Sequence, residues 1–385
     1  MKKILYVTMF FLTLTMMFAN AEKAEAKCYK SGAFSYQYKI EKGSVWITKI
    51  EIISNKGVAT LKIPSHINGK EVTAIGSSKE DFKDGDEHKM NIFGVFVNPD
   101  IESYELIPSE VHKKVSKIKK IILPSTLKKI SKNCFINVQD GKTINIPKNV
   151  TWNVITQFTR VKWRKLEISP KNSKYKIKNG CLLSKNGKSV YGIVQKKKKI
   201  CIPNSVKIID VGILKDGTAD GDYNGADTIV IPKSVNKIGF CALETKKSVI
   251  IKIDKKNKRY AVKDGSVYSR KNGRLVAGYI KNGVLSIPNT VSKITDATSY
   301  LGGQNIKKVI VPSSVKKMAG IFLRPNKITF VFKGKKPPKL TNRELIAFNI
   351  PTIVYVPAKY RKVYEDWLGT SLEEYQRRDT KICSR

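Results

Sequence analysis

Short apolar strands that end at a proline recur along most of this sequence. Residues 229–239, I-V-I-P-K-S-V-N-K-I-G, show the whole phrase, in which Val235 and Ile238 follow the proline three residues apart. Proline lacks the N–H that a sheet ladder needs, so it fits only the end of a strand. Each phrase therefore predicts a short strand, a turn and a second step whose apolar residues face inward. The phrase also begins at Leu61, Ile121, Ile144, Ile200, Leu285, Val309 and Val354, and further inward pairs are Leu127 and Ile130, Val206 and Ile209, Val291 and Ile294, and Val315 and Met318.

The spacing of these prolines indicates a stacked-repeat fold. The prolines at 124 and 147 are 23 residues apart, those at 203 and 232 are 29 apart, and those at 288 and 312 are 24 apart. Such intervals are about the length of one leucine-rich coil. Because the same phrase returns at this interval, we expect successive coils to stack and to bury one continuous apolar interior.

Two longer intervals contain matching insertions. The prolines at 147 and 203, and those at 232 and 288, are 56 residues apart. Each interval holds an extra strand without a proline, at 166–168 and 251–253. It also holds a second motif, Y-K-I-K-N-G-C-L-L-S at 175–184 and Y-A-V-K-D-G-S-V-Y-S at 260–269. Asn-Gly and Asp-Gly favour two-residue turns because both central residues need positive φ. We therefore predict an inserted β-hairpin in each interval.

Together these motifs resemble the BspA-like class of bacterial leucine-rich repeat surface proteins. The I-P-x-x-V-x-x-I coils, the Y-x-V-K-D-G-x-x-Y-S-x-x-x-G hairpins and the ending at 333–340 and 355–367 carry the resemblance, which covers nearly all of the chain after about residue 33. The family's usual I-G-x-x-A-F-x-x-C phrase is eroded here, with its best remnants at 133–135 and 239–242. The resemblance implies an extracellular solenoid, and some family members resemble adhesins for host matrix proteins.

We therefore expect a β-rich solenoid, a curved leucine-rich repeat stack of short parallel strands with inserted β-hairpins and end caps. The first residues read as a secretory signal, because Lys2 and Lys3 precede an apolar run and small-x-small cleavage sites. That run is shorter than the roughly 20 residues that span a membrane, so we expect no integral membrane segment after signal removal.

The expected organisation has five parts. A helix over 359–375, with Tyr360, Val363 and Trp367 on one face, is predicted to close the stack. The parts are a signal peptide at 1–26, an N-terminal capping repeat at 27–76, an irregular insertion at 77–118, a leucine-rich repeat solenoid at 119–332, and a C-terminal repeat with a helical cap at 333–385.

Strand alternation predicts one candidate binding surface. In each strand the flanking apolar residues point inward, so the residue between them and the one before face solvent. We interpret these positions as the concave face of the solenoid, lysine-rich in its first half and apolar from residue 228 onward. An exposed apolar row of this size usually marks a contact site, although an insertion or a second copy could cover it instead. The candidate residues are Lys120, Ile122, Lys165, Lys199, Val230, Ile250, Lys308, Ile310 and Tyr355.

The net charge of +42 adds a second possibility. Without residues 1–26, which contain three lysines and two glutamates, the chain has 70 basic and 29 acidic residues, so the net charge is 70 − 29 = +41. A net charge of this size bears on which partners the protein binds and not on its fold. Either the lysines form a solvated surface, or they attract anionic polymers such as wall polymers, sulfated glycans, anionic lipid or nucleic acid. Charge alone does not choose among these.

Few residues suggest catalysis or metal binding. Glu167 is the one acid among the predicted concave positions, so no pair of carboxylates arises there for acid–base chemistry. Asp220, Asp222 and Asn224 have the spacing of the first half of a calcium loop, but Ile231 stands where the chelating Glu is required. We prefer a polar turn there. Six cysteines show no C-x-x-C spacing. We expect no enzyme, no cofactor and no metal site.

The resulting functional expectation is a secreted or cell-surface protein that mediates protein–protein interaction or adhesion through its concave strand face. Its expected partner is a protein ligand, such as a host matrix or surface protein. The alternative is a surface component that binds a polyanion, a wall polymer or sulfated glycan, through its basic charge. We expect no specific nucleic-acid partner.

Overall fold

The chain folds into a stack of short parallel strands, as the computed structural model shows. The predicted leucine-rich repeat solenoid is therefore confirmed. The expected signal segment and the candidate calcium residues Asp220, Asp222 and Asn224 lie outside the described residues. The structure describes residues 27–76, 89–90, 92–93, 96–97, 109–131, 134–135, 142–150, 164–194, 197–210, 226–239, 242–243, 249–295, 306–319, 327–341, 352–371 and 380–384.

The N-terminal unit begins with three antiparallel strands. Its strands are β1 (Lys27–Ser31), β2 (Phe34–Glu41), β3 (Ser44–Ile52), β4 (Thr60–Lys62), β5 (His66–Ile67) and β6 (Lys70–Ile75). Strand β3 pairs antiparallel with β2 and parallel with β6, so the unit turns from a meander into the parallel stack. The Trp46 indole Nε1 donates a buried hydrogen bond to the Gly76 carbonyl at 2.8 Å. The sequence at 34–40 and 45–52 alternates with the period of two that is typical of strands, and β2 and β3 cover these residues.

A short irregular region follows, with β7 (Lys89–Met90), β8 (Phe96–Val97) and helix α1 (Ser109–Ser116). The last three residues of the I-P-S-E-V string at 107–111, which echoes the repeat in sequence, lie in α1. Ile92 is buried and ties the flanking parts together. Its carbonyl accepts from the Ile50 N–H at 2.8 Å, and its N–H donates to the Cys134 carbonyl at 2.9 Å.

The remaining strands build the coils, and a helix lies between the last two of them. The first twelve are β9 (Lys120–Ile122), β10 (Lys129–Ile130), β11 (Thr143–Ile146), β12 (Lys165–Ile168), β13 (Tyr175–Lys178), β14 (Cys181–Ser184), β15 (Ser189–Ile193), β16 (Lys199–Cys201), β17 (Ile208–Ile209), β18 (Thr228–Ile231), β19 (Lys237–Ile238) and β20 (Ile250–Ile253). The others are β21 (Tyr260–Lys263), β22 (Ser266–Ser269), β23 (Leu275–Ala277), β24 (Ile280–Lys281), β25 (Val284–Ser286), β26 (Lys293–Ile294), β27 (Lys308–Val311), β28 (Lys317–Met318), β29 (Ile328–Phe332), β30 (Lys339–Leu340), β31 (Thr352–Val356) and β32 (Thr380–Ser384). A 3-10 helix at Ala358–Tyr360 leads into helix α2 (Arg361–Ser371).

The coils form two parallel ladders with the core between them. The front ladder contains the first strand of each coil, in three sheets: β4, β9, β11, β12; then β16, β18, β20; then β25, β27, β29, β31, β32. The back ladder contains the second step of each coil, in the groups β6, β10; then β15, β17, β19; then β26, β28, β30. All the inward pairs predicted from the sequence are buried, with at most 6% exposure, as at Ile238.

In five of the repeats, the residue two positions after the proline ties its coil to the preceding one. Ser234 donates from its hydroxyl to the Val206 carbonyl at 2.6 Å, and Ser314 donates to the Val291 carbonyl at 2.8 Å. The same bond is made by Thr126 to Val72, Asn149 to Ser125, and Ser205 to Gly187. Short polar side chains at this position therefore satisfy backbone carbonyls that the turn would otherwise leave unpaired.

The inserted hairpins are confirmed, and the inserted segments also pair with the back ladder. Asn179 and Gly180, and Asp264 and Gly265, all have positive φ, between 50° and 78°, as the two-residue turns require. After the first hairpin, formed by β13 and β14, the chain continues into β15. This strand pairs parallel with β17 and so supplies a rung of the back ladder. In the second hairpin an isolated parallel bridge between Arg274 and Lys293 makes the same connection.

Two buried asparagines fix these hairpins to the coils before them. Asn172 donates from Nδ2 to the carbonyls of Pro147 and Val150 and accepts at Oδ1 from the N–H groups of Lys174 and Tyr175. Asn257, 85 residues later, makes the same four bonds to Pro232, Val235, Arg259 and Tyr260, at 2.8 to 3.1 Å. Both side chains are almost fully buried.

The C-terminal helix packs on a face that only partly matches the predicted one, since Tyr360 and Trp367 pack against the last core cluster as expected. Val363 is 46% exposed, so its prediction as an inward residue is wrong, whereas Tyr364 and Leu368 are buried. The Tyr364 hydroxyl donates to the carbonyls of Gly334 and Lys336, at 3.1 and 3.3 Å. These bonds require the helix to turn residue 364, and not 363, toward the stack. Strand β32, which the sequence analysis did not predict, pairs with β31 as the last front rung.

Candidate functional site

All nine candidate binding residues lie in front-ladder strands, and the residues beside them in each strand are turned into the core. In β27, for example, Val309 and Val311 are buried while Lys308 and Ile310 are partly exposed. Their orientation follows from strand alternation around the apolar positions. Their role in binding stays a prediction, as does the concavity of this face.

Strand pairing distributes the nine residues over three sheets. The first sheet carries Lys120, Ile122 and Lys165, the second carries Lys199, Val230 and Ile250, and the third carries Lys308, Ile310 and Tyr355. Sequence spacing had placed them in two continuous columns. The described hydrogen-bonded ladder is divided between β12 and β16 and between β20 and β25, where the hairpins are inserted. The candidates therefore form three local surfaces.

In the first sheet the positive charge is partly neutralised. Lys165 Nζ lies 2.6 Å from Glu167 Oε1 within one strand. This hydrogen bond is the main reason that the pKa of the Glu167 carboxyl is below its usual value. Burial opposes the shift, and the positive charges of Lys165 and Lys120 add to it. Thr143 stands between Lys120 and Lys165 on the middle strand, so the two lysines are not adjacent.

The second sheet mixes charge and apolar surface. Its two outward rows read Lys199, Thr228, Ile250 and Cys201, Val230, Lys252. The prediction that these columns turn apolar from residue 228 onward is therefore only partly right, since exposed Lys252 stands beside Val230 and Lys308 occurs further on. Beneath this surface lies Cys181, whose thiol pKa is raised to about 12, chiefly by burial.

The third sheet contains the one extended apolar row among the described front-ladder strands. Ile310, Val331 and Tyr355 occupy adjacent rungs in register, with Ser286 before them and Cys383 after them. Ile310 and Tyr355 are partly exposed, while Val331 between them is 1% exposed. Sequence reasoning missed Val331 because its strand, I-T-F-V-F, is followed by Lys333 where the repeat has proline. The alternation of side chains along that strand is the sequence signal that could have identified Val331 as an outward position.

A second feature that sequence reasoning missed lies on the back ladder. Lys293, Lys317 and Lys339 are in register on β26, β28 and β30, and Arg274 is bridged to Lys293. Each lysine precedes a residue that packs inward, so it faces away from the core. The sequence signal for these lysines is the position directly before the last apolar residue of the V-x-x-I step. Above, that step serves only to identify core residues.

The described residues contain no group of three or more His, Cys, Asp or Glu side chains that could hold a metal ion. Within the same ranges, none of the helices combines the length and the apolar character needed to span a membrane.

Two ladders of short parallel strands around one apolar interior define a leucine-rich repeat protein. Residues 105–219 match the family model described as BspA type Leucine rich repeat region, in six copies. The resemblance noted in the sequence is therefore confirmed, and this repeat region is of the BspA type. A comparison with curated protein sequences gives no match.

Three solved structures align along most of the chain at low identity. A leucine rich cell surface protein from Faecalibacterium prausnitzii A2-165 is 14% identical, with 93% of this chain and 95% of that chain covered and a TM-score of 0.37. The pneumococcal vaccine antigen PcpA is 12% identical, with 94% and 99% covered and a TM-score of 0.34. A leucine-rich repeat protein from Eubacterium ventriosum ATCC 27560 is 13% identical, with 92% and 83% covered and a TM-score of 0.34. These scores are low, so the fold assignment rests on the strand pairing and the repeat match.

Proposed function

We propose that this chain is a non-catalytic, secreted or cell-surface protein that binds a protein partner through its front ladder. Its partner is a host matrix or surface protein, and the contact centres on Ile310 and Tyr355, which are partly exposed on either side of the buried Val331. The repeat type supports this, because leucine-rich repeat surface proteins bind proteins. The front ladder also offers what a protein interface needs, an apolar centre with polar residues around it.

The single observation that carries the proposal is the register of the row formed by Ile310, Val331 and Tyr355. Three apolar residues on three successive rungs bring the partly exposed side chains of Ile310 and Tyr355 to either side of Val331, which is almost fully buried, whereas the same residues scattered over a solenoid would lie apart. Tyr355 is an aromatic residue of the kind enriched at interface hot spots. Lys308 and Lys381 flank the row on the adjacent outward column and supply a polar rim.

Truncating Ile310 and Tyr355 to alanine is expected to weaken binding to a captured matrix protein. A hot-spot residue costs on the order of 1–2 kcal/mol or more when truncated, which is roughly a five- to thirtyfold loss of affinity each. The matched variant Lys120→Ala/Lys199→Ala should change the affinity little. Affinities would be measured for a panel of matrix proteins, a sulfated glycan and a purified wall polymer, each at low and high salt.

The salt dependence separates this proposal from a purely electrostatic one. Contacts through an apolar row are screened little by salt, whereas exposed charges beyond a Debye length of about 8 Å are largely screened at physiological ionic strength. If only the lysine variant loses affinity and the loss of binding with salt is steep, the front row is not the protein-binding surface.

A further inference from the structure

The last back-ladder sheet carries a straight row of cations. Lys293, Lys317 and Lys339 stand side by side on three adjacent strands, and an isolated parallel bridge joins Arg274 to Lys293. We call these four residues the cation row. Neighbouring strands lie about 4.8 Å apart, so the four residues span about 14 Å in a direction perpendicular to the strands. Lys317 and Lys339 are exposed, and Arg274 and Lys293 are partly exposed.

The sequence around the cation row is strongly basic. Residues 265–341 contain 15 Lys and Arg and one acid, Asp296, so this stretch has a net charge of 15 − 1 = +14. Within the described ranges, none of the four cations forms an ion pair. Like charges directly opposite each other on a sheet are destabilising. The fold therefore holds four repelling charges in line, and an anion laid along the row would relieve that repulsion.

The chemistry of this sheet selects among anionic partners. Its three strands read K-I, K-M and K-L, so they present no aromatic side chain on which a nucleic acid base could stack. The outward positions here also lack the apolar centre of a protein interface. The lysine ammonium group is a point charge on a flexible side chain, and it binds sulfate or phosphate without requiring a fixed planar geometry. The row thus fits a linear ligand that repeats such groups.

We propose that the cation row binds a linear anionic glycopolymer, whose repeated sulfate or phosphate groups lie across the strands. This places polyanion binding on the back ladder, away from Lys120, Lys165, Lys199 and Lys308, the front-ladder lysines that spacing alone singled out. Front and back ladders face away from each other across the core, so a protein on the front row and a polymer on the cation row occupy separate surfaces. The inference does not depend on the proposed protein partner.

The test compares two full-length variants with the same loss of charge. Lys293→Gln/Lys317→Gln/Lys339→Gln removes three members of the row, and Lys62→Gln/Lys178→Gln/Lys263→Gln removes three exposed lysines that lie apart from one another. Binding to heparin and to a poly(glycerol phosphate) polymer is measured at several salt concentrations. The two probes distinguish sulfate from phosphate as the source of charge.

The row variant is expected to bind at least tenfold more weakly at low salt, and the slope of log K against log salt should become shallower by about two to three, since each neutralised charge contributes about 0.7–0.9 for nucleic acid polyanions. The scattered variant should lose less than threefold. Equal losses in the two variants would show that diffuse charge binds the polymer, and no loss in either would show that the row does not bind it. A DNA duplex that binds as tightly and depends on the row equally would overturn the restriction to glycopolymers.

Thermal melting provides the folding control. The row variant should melt at or above the temperature of the unaltered protein, because its repulsion has been removed. Added polymer should raise the melting temperature of the unaltered protein more than that of the row variant, because only the native row binds it. If the triple variant melts lower, Lys317→Gln and Lys317→Arg replace it. Binding that is weakened by glutamine and kept by arginine supports the row, and equal loss in both contradicts it.

Discussion

Replacing Asn257 with alanine is expected to lower the free energy of unfolding by about 3–5 kcal/mol, because it orphans four backbone groups at once, three of which make buried hydrogen bonds. The carbonyls of Pro232 and Val235 lose their donor, and the N–H groups of Arg259 and Tyr260 lose their acceptor. Asn257 itself is 2% exposed, so water does not readily replace it. Chemical denaturation followed by circular dichroism measures the change.

The same substitution should also split the unfolding transition. The described buried residues form three apolar clusters, and the hairpins contribute to both neighbours at each boundary. In the second hairpin Val267 packs in the middle cluster while Leu275 packs in the last one. Repeat proteins are stabilised by contacts between neighbouring units, so a weakened joint uncouples them. Hydrogen exchange should then show the two sides of residue 257 opening with different free energies.

Two comparisons make the result specific. Asn257→Asp preserves the shape and the accepted bonds but puts a carboxylate oxygen against two carbonyl oxygens, so it should destabilise at least as much as alanine at neutral pH. Asn172→Ala should give a similar loss at the first hairpin, because its four bonds are the same. A loss below about 1 kcal/mol in both alanine variants would mean that the hairpins are held chiefly by apolar packing.

The repeat fold was predictable because its rules are local. A proline at a strand end, an apolar pair three residues apart and an Asn-Gly turn each act within a few residues, and all three appear as expected in the structure. The role of the hairpins was not predictable in the same way. The pairing of β15 with β17 joins segments that no local signal connects, and the matching positions of Asn172 and Asn257 acquire meaning only when their carbonyl partners are known.

The candidate surface was predictable residue by residue but not as an arrangement. Strand alternation correctly predicted that Ile310 and Tyr355 face outward, but only the strand register shows that Val331 lies between them. The cation row was missed for a similar reason. A single lysine before an apolar residue is unremarkable in a chain with 73 basic residues, and its significance arises from the strands that stack it on its neighbours.

The helix at the end of the stack provides the second large effect. Deleting residues 358–385 removes α2 and β32 and uncovers Phe332, which contacts the rings of Tyr364 and Trp367 at centroid distances of 5.4 and 5.5 Å. An open solenoid end exposes core that a cap would cover. We expect a lower melting temperature and stronger binding of a hydrophobic dye. Unchanged melting and unchanged dye binding would mean that α2 and β32 do not cap the stack.

Point variants in α2 test which face the helix buries. Tyr364→Ala should cost about 3–5 kcal/mol, the usual range for removing a large buried aromatic side chain. Tyr364→Phe should cost about 1–3 kcal/mol, because it keeps the ring but leaves the Gly334 and Lys336 carbonyls without their donor. Val363→Ala removes an exposed side chain and should change stability by less than about 0.5 kcal/mol. Burial also raises the pKa of the Tyr364 hydroxyl to about 12, so the hydroxyl stays protonated and able to donate across the neutral range. Equal losses for Val363→Ala and Tyr364→Ala would favour the face predicted from sequence spacing over the one in the structure.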